Sequence, residues 1–286
     1  MTLEPRTYRR IVAIALALLC AIVVTGAAVR LSGSGLGCDD WPNCSSERVI
    51  EFGNPNQTIE QVNRLFTGLV SLSVAAAVLG SIRRRPYRRD LVVLSWGLVA
   101  DAVVLLWCSG QPDGPRRPQV APAEMWLSRV AVALMVGLMF TGPAVTGTGP
   151  HAGDAESPRF GWFLPDVARI HSINMWIFLA VVVVLLVRLA RSGAPRPVLH
   201  RAQALLVVIV AQGAIGYTQY EMGIPPWLVA LHIAGATAVL GVTVWFHLGL
   251  SAPVAARAGI DGDGLDPVRT DGADGTVDRA GSSSSA

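Results

Sequence analysis

Two of the five histidines stand where a metal-binding pair could form. His171 and His232 each lie about five or six residues inside the end of a long apolar run, which at about 1.5 Å per helical residue gives them a similar depth. Two imidazoles at one depth on two helices are what a six-coordinate haem iron requires, with the porphyrin between the helices and each ring supplying one axial nitrogen. The same pair also reads as two buried histidines bonded to neighbouring carbonyls. The small residues Ala234, Gly235 and Ala236 beside His232 would let a flat macrocycle approach the backbone. His200 and His247 fall toward the opposite ends of their runs, as interfacial residues do, and His151, in the loop Gly149-Pro150-His151-Ala152-Gly153-Asp154, is placed to cover a cofactor edge.

Four cysteines are present, of which Cys38 and Cys44 share one polar loop with five residues between them. In an oxidising compartment that spacing favours a loop disulfide over two free thiols, and no further Cys or His accompanies them there to complete a zinc site. Cys20 lies inside an apolar run and Cys108 near the end of another, both as packing residues. Glu60 opens the run after this loop, within Ile59-Glu60-Gln61-Val62-Asn63-Arg64. It reads either as an exposed first-turn acid favoured by the helix dipole or, facing a pocket, as a carboxylate base.

The elements that must position these groups are membrane-spanning helices. Hydrophobic residues make up 52% of the 286 and charged residues 15%, and apolar runs near 10–29, 61–82, 125–148, 167–190, 199–220 and 227–250 approach the ~20 residues that cross a bilayer core. The expected fold is an all-α polytopic bundle with six clear spans. Its first run is long and lacks a small-x-small cleavage site, so it reads as a retained helix. Basic residues sit in short clusters flanking the runs, which excludes a nucleic-acid surface.

The arginines set the orientation. Arg6, Arg9 and Arg10, then Arg83–Arg89, then Arg188, Arg191, Arg196 and Arg201 place three clusters in the cytoplasm, with loops 30–59 and 149–166 outside. The run 91–109 then becomes anomalous, because a full crossing there would turn the third cluster outward. It carries Asp101 at its centre and arginines on both sides. A midplane charge is costly, so the run reads as a re-entrant or distorted segment with both ends cytoplasmic; an ordinary span that breaks the arginine rule is the alternative.

An internal echo points to duplication. Thr25-Gly26-Ala27-Ala28-Val29 with Gly33-Ser34-Gly35 is matched by Thr141-Gly142-Pro143-Ala144-Val145 with Gly147-Thr148-Gly149, and Asn63 and His171 each follow near the external start of the next run. The chain thus divides into a first half at 1–123, a second half at 124–252, and a Gly/Asp/Ser/Ala-rich tail at 253–286 that is expected to be disordered in the cytoplasm.

The motif Arg30-Leu31-Ser32-Gly33-Ser34-Gly35-Leu36-Gly37-Cys38 with Trp41-Pro42 and Cys44, the Glu60…Asn63-Arg64 start, the loop 147–154, and His171 and His232 resemble haem A synthases, particularly those of actinobacteria. The resemblance covers about residues 8–250 and implies a multi-pass plasma-membrane enzyme that oxidises the C8 methyl of haem O to a formyl group. It implies haem b between His171 and His232, a catalytic role for Glu60, and an external cysteine pair at Cys38 and Cys44. Asn63, Arg64 and His151 become candidate pocket residues, and haem O synthase, oxidase assembly proteins, membrane lipid and a second copy of the chain become candidate partners.

Two features depart from the family pattern. Many relatives carry a second histidine pair in the first half; here its first position is Asn63, as in actinobacterial relatives, and its second is missing. Members have eight helices, and residues 91–100 look like the start of the third while 101–117 look like the end of the fourth, as an internal deletion would leave them. A haem b-binding paralogue without synthase activity, or an oxidase assembly protein, is therefore the alternative. A dihaem quinol or ferric reductase would need two matched histidine pairs, and the chain offers one.

Overall fold

The computed structural model describes residues 2–35, 37–38, 43–46, 48–87, 89, 91, 110, 116–151 and 158–253. Six long helices dominate: α1 (Pro5–Leu31), α2 (Pro55–Arg83), α3 (Pro122–Thr148), α4 (Leu164–Arg191), α5 (Arg196–Glu221) and α6 (Pro226–Leu248). All six are long and apolar enough to cross a membrane; even the shortest, 23 residues, extends about 35 Å. Each has proline in its first turn, where the missing N–H costs no intrahelical bond. Two three-residue strands, β1 (Arg116–Pro118) and β2 (Ser251–Pro253), pair antiparallel.

The helices extend beyond the apolar runs by a few residues at most ends, because the flanking polar turns continue the backbone hydrogen bonding. At the far end the sequence-based span reached 250, whereas α6 stops at Leu248 and Gly249, and the chain turns into β2.

α1 packs along α2, α3 along α4, and α5 along α6, with further contacts of α4 on α5 and of α6 on α1 and α3. In the second half a core seam steps by four and three residues: Phe178, Val182, Leu185 and Leu189 on α4, and Val198, Ala202, Leu205 and Ile209 on α5 are all buried. That spacing keeps one stripe of each helix facing its neighbours in antiparallel packing. In the first half Tyr8, Val12 and Ala77 enclose Leu91, and the Tyr8 ring lies over Gly80, where an added Cβ would stand 3.1 Å from its Cδ2.

Connections between helices close at two ends. One end holds the disulfide loop and the turn between α5 and α6. At the arginine-bearing end, Leu3 bridges to α2 through Leu3 N–H to Arg83 O (2.9 Å) and Arg85 N–H to Leu3 O (3.0 Å). Gly110 lies against the Arg9 guanidinium at that same end, and Leu91 packs there beside Tyr8. The described neighbours of 92–109 therefore sit on one side of the bundle. The re-entrant reading of that run itself, with Asp101 and Cys108, falls outside the described residues, as does the disorder expected for 254–286.

Inside the arginine-bearing end of the second half, Glu124 on α3 is buried and pairs with Arg188 on α4 at 3.1 Å. One turn along, Ser128 Oγ meets His247 Nδ1 on α6 at 2.9 Å. His247 is thus tied into the bundle rather than lying at its interface, while His200 is exposed.

Candidate functional site

The core seam carries the site. Continued toward the disulfide end with the same spacing, it passes from Phe178 through Met175 to His171 on α4, and from Ile209 to Gln212 and Gly216 on α5. On α3 it reaches Gly142, and on α6 it runs from Val239 through Ala236 to His232. Large apolar side chains fill the lower layers; at this level they give way to two imidazoles, one amide and two glycines.

The rings of His171 and His232 stand edge-on to one another, with centroids 6.4 Å apart and planes inclined by 69°. His171 Nδ1 lies 2.8 Å from Thr141 Oγ1, and that hydroxyl also lies 3.1 Å from the Gly137 carbonyl of its own helix. With the hydroxyl donating there, the ring donates from Nδ1 and Nε2 is a bare lone pair; with the hydroxyl donating to Nδ1, as Thr25 does to Asn63, the ring proton is on Nε2. On the other side, Gln212 Nε2 lies 2.6 Å from the His232 carbonyl and 3.0 Å from His232 Nδ1. A carbonyl can only accept, so the atom against it is the amide nitrogen.

Glycines make room for both rings. A Cβ on Gly216 would come within 2.9 Å of His232 Cε1, while one on Gly142 would reach ordinary contact, 3.6 Å, with His171 Cε1. Gly235 does something other than admit a macrocycle, as its smallness had suggested. The space a side chain would take there is filled by Gln212 Oε1.

The ring separation is that of two imidazoles bridged by one metal ion. Two metal–imidazole bonds of about 2 Å in line, plus about 1.1 Å from each nitrogen to its ring centre, separate two centroids by about 6.2 Å. The observed 6.4 Å matches that span, and it is too wide for a direct hydrogen bond between the rings.

A second cluster is built around Glu60 at the start of α2. The sequence offered an exposed first-turn acid as one reading; instead Glu60 lies one turn further in and is buried. Its Oε2 accepts from Cys38 N–H at 2.7 Å, and Arg64 donates to Oε1 through Nε at 3.0 Å and Nη2 at 2.6 Å. Arg64 Nη1 also donates to the Asn43 carbonyl at 2.9 Å. Cys38 and Cys44 form a disulfide. The loop that holds it rests on the start of α2, where Gly37 lies so near the backbone of Asn56 that a Cβ would come within 2.6 Å.

The remaining candidates separate. Asn63 Oδ1 accepts from Thr25 Oγ1 at 3.0 Å, so Thr25–Asn63 in the first half occupies the position that Thr141–His171 occupies in the second. The adjacent glycines repeat as well: Gly26 faces Asn63 as Gly142 faces His171. His151 Nε2 bonds the carbonyl of Ile224, which fixes the loop after α3 to the turn before α6.

Residues 9–56 match the family model described as cytochrome oxidase assembly protein. The chain is 32% identical over 98 residues to a haem A synthase of Lysinibacillus sphaericus, covering 31% of this chain and 32% of that protein. It is also 24% identical over 354 aligned positions to a haem A synthase of Methylobacterium radiotolerans, covering 91% and 95%. These matches make the chain similar to haem A synthases, most firmly over residues 9–56. A further match is a protoheme IX farnesyltransferase of Chloroflexus aurantiacus, 35% identical over 74 residues, 26% of this chain and 12% of that one. The matched stretch spans only about a third of the length of the Lysinibacillus synthase. The 354 positions aligned with the Methylobacterium synthase exceed the 286 residues available, so that alignment contains positions this chain leaves empty.

Sequence reasoning missed Gln212 and the part played by Thr141. Each left a signal: Gln212 is a lone amide in the apolar stretch Leu205–Ala214, and Thr141 opens the echoed motif.

Proposed function

We propose that this chain is a multi-pass plasma-membrane oxidoreductase of haem A biosynthesis, with its amino terminus and tail in the cytoplasm, converting the C8 methyl of haem O to a formyl group. Haem b is its resident cofactor, held by Nε2 of His171 and of His232, and it supplies one-electron redox chemistry when bound. The observation that carries this reading is the imidazole pair at 6.4 Å, with the Nδ1 of each already occupied by a polar partner. Outer partners of this kind orient metal-binding histidines, and the tautomer each one sets decides whether Nε2 is free to ligate.

The chain's own contributions divide between its halves. Thr141 and Gly142 orient and admit His171, and Gly216 admits His232. Glu60 works by charge and by position. With Arg64 on one oxygen and Cys38 N–H on the other, it holds the disulfide loop on α2 and fixes a negative charge at the mouth of the first half, where haem O would bind. Haem O synthase fits as the protein that delivers this substrate, and the farnesyltransferase relative supports that pairing.

Pyridine haemochrome spectra and extracted-haem profiles of protein co-expressed with a haem O supply test the reading. H171A and H232A should each lose haem b, whereas E60A should keep the b-type spectrum and lose haem A. Unchanged haem A output from E60A would remove Glu60 from catalysis.

A second reading is a haem b-binding paralogue or oxidase assembly protein without synthase activity. It is favoured by Asn63, an amide where the repeat places an imidazole. Failure to restore haem A in a synthase-deficient host, with haem b retained, would select it.

A further inference from the structure

The two histidines are prepared differently. Thr141 can accept from His171 Nδ1 while donating to the Gly137 carbonyl, the arrangement in which His171 presents a bare Nε2. His232 accepts at Nδ1 from the amide nitrogen of Gln212, so its neutral ring carries the proton on Nε2, the nitrogen that would ligate in the proposed complex. That tautomer cannot ligate. Gln212 itself is incompletely satisfied: Oε1 is buried with no hydrogen-bond partner, although an acceptor of that kind is what an Nδ1–H would need.

We propose that Gln212 is a two-position residue that sets the order of ligation at the histidine pair. This rests on the haem-binding reading above. In the empty protein its amide N–H groups hold the His232 carbonyl and Nδ1, keeping His232 as the Nε2–H tautomer. His171, in the form with Nε2 bare, would be the first of the two able to ligate. For His232 to follow, its proton moves from Nε2 to Nδ1, and Gln212 turns so that Oε1 accepts it. The proton changes nitrogen and the ring stays neutral. The turn costs the bond to the His232 carbonyl and gains a partner for the orphaned Oε1. Gly235 makes this possible, because any larger residue would occupy the space where Oε1 lies.

Nitrogen-15 NMR of haem-free, histidine-labelled full-length protein reads the tautomers directly. The expected result is Nδ1–H at His171 and Nε2–H at His232, with the His232 assignment lost in Q212L and in G235A while His171 is unchanged. In the haem-loaded protein, Q212E, which can only accept from Nδ1–H, should lower the midpoint potential relative to wild type, and Q212L should raise it. A His232 found as Nδ1–H in the empty wild-type protein, or potentials that are the same in all three, would overturn the proposal. The haem reading has its own arm: a six-coordinate b-type spectrum retained in H232A would refute that reading, whereas the tautomers of the empty protein stand or fall apart from it.

Discussion

At the scale of single residues, the site depends on who holds the proton. Thr141 Oγ1 lies 2.8 Å from His171 Nδ1, so its loss should weaken the ligand without removing it. T141V is expected to reduce haem retention about 10- to 100-fold while leaving helical content unchanged, as haem titration followed by circular dichroism would show. Such partners were only half legible in the sequence. The two histidines stand out by type and depth, but a threonine in an apolar helix looks like packing until the ring it touches is known. Glu60 was visible as a residue and obscure as a role. Nothing in Ile59–Arg64 indicates that the backbone of a cysteine 22 positions earlier would cover its carboxylate.

At the scale of elements, each helix of the second half presents one stripe of residues spaced by four and three. This stripe was hidden in the sequence because neighbouring positions face lipid and are equally apolar; periodicity fades when all sides of a helix are hydrophobic. The helices themselves were evident from length and composition, and the seam became visible only through packing. It explains why the glycines are unequal. G216A places a methyl group against the His232 ring within 2.9 Å, whereas G142A makes ordinary contact with His171. G216A should therefore displace its ring and lose most bound haem, and G142A should remain close to wild type, when both are purified and their haem-to-protein ratios compared. Equal ratios would mean that His232 can give way.

At the scale of the molecule, Leu3, Arg84, Leu91, Gly110 and the paired strands gather at one end, and the disulfide loop lies at the other. Single cysteines introduced at Thr2 and Gly110 should label with a membrane-impermeant maleimide from the same face, and one at Asn56 from the opposite face. Labelling of residue 110 from the Asn56 side would reverse the second half. The arginine pattern already carried this arrangement, because charge beside a span constrains which way the span can face. The repeat is also a property of the whole: Thr25–Asn63 and Thr141–His171 show that two halves place equivalent polar pairs at the same point, and one of the two has exchanged its imidazole for an amide.

The pairing of Arg116–Pro118 with Ser251–Pro253 leaves the entrance and the exit of the second half side by side, since paired strands bring their backbones within about 5 Å. The four helices consequently form a circle with a seam rather than a line with two ends. A chain cut at the turn Ser192–Pro195 and sewn across the strands would enclose the same bundle in a different order of synthesis, with His232 translated before His171. In this half, what the fold preserves is neighbourhood, and the order in which neighbours are made is free to change.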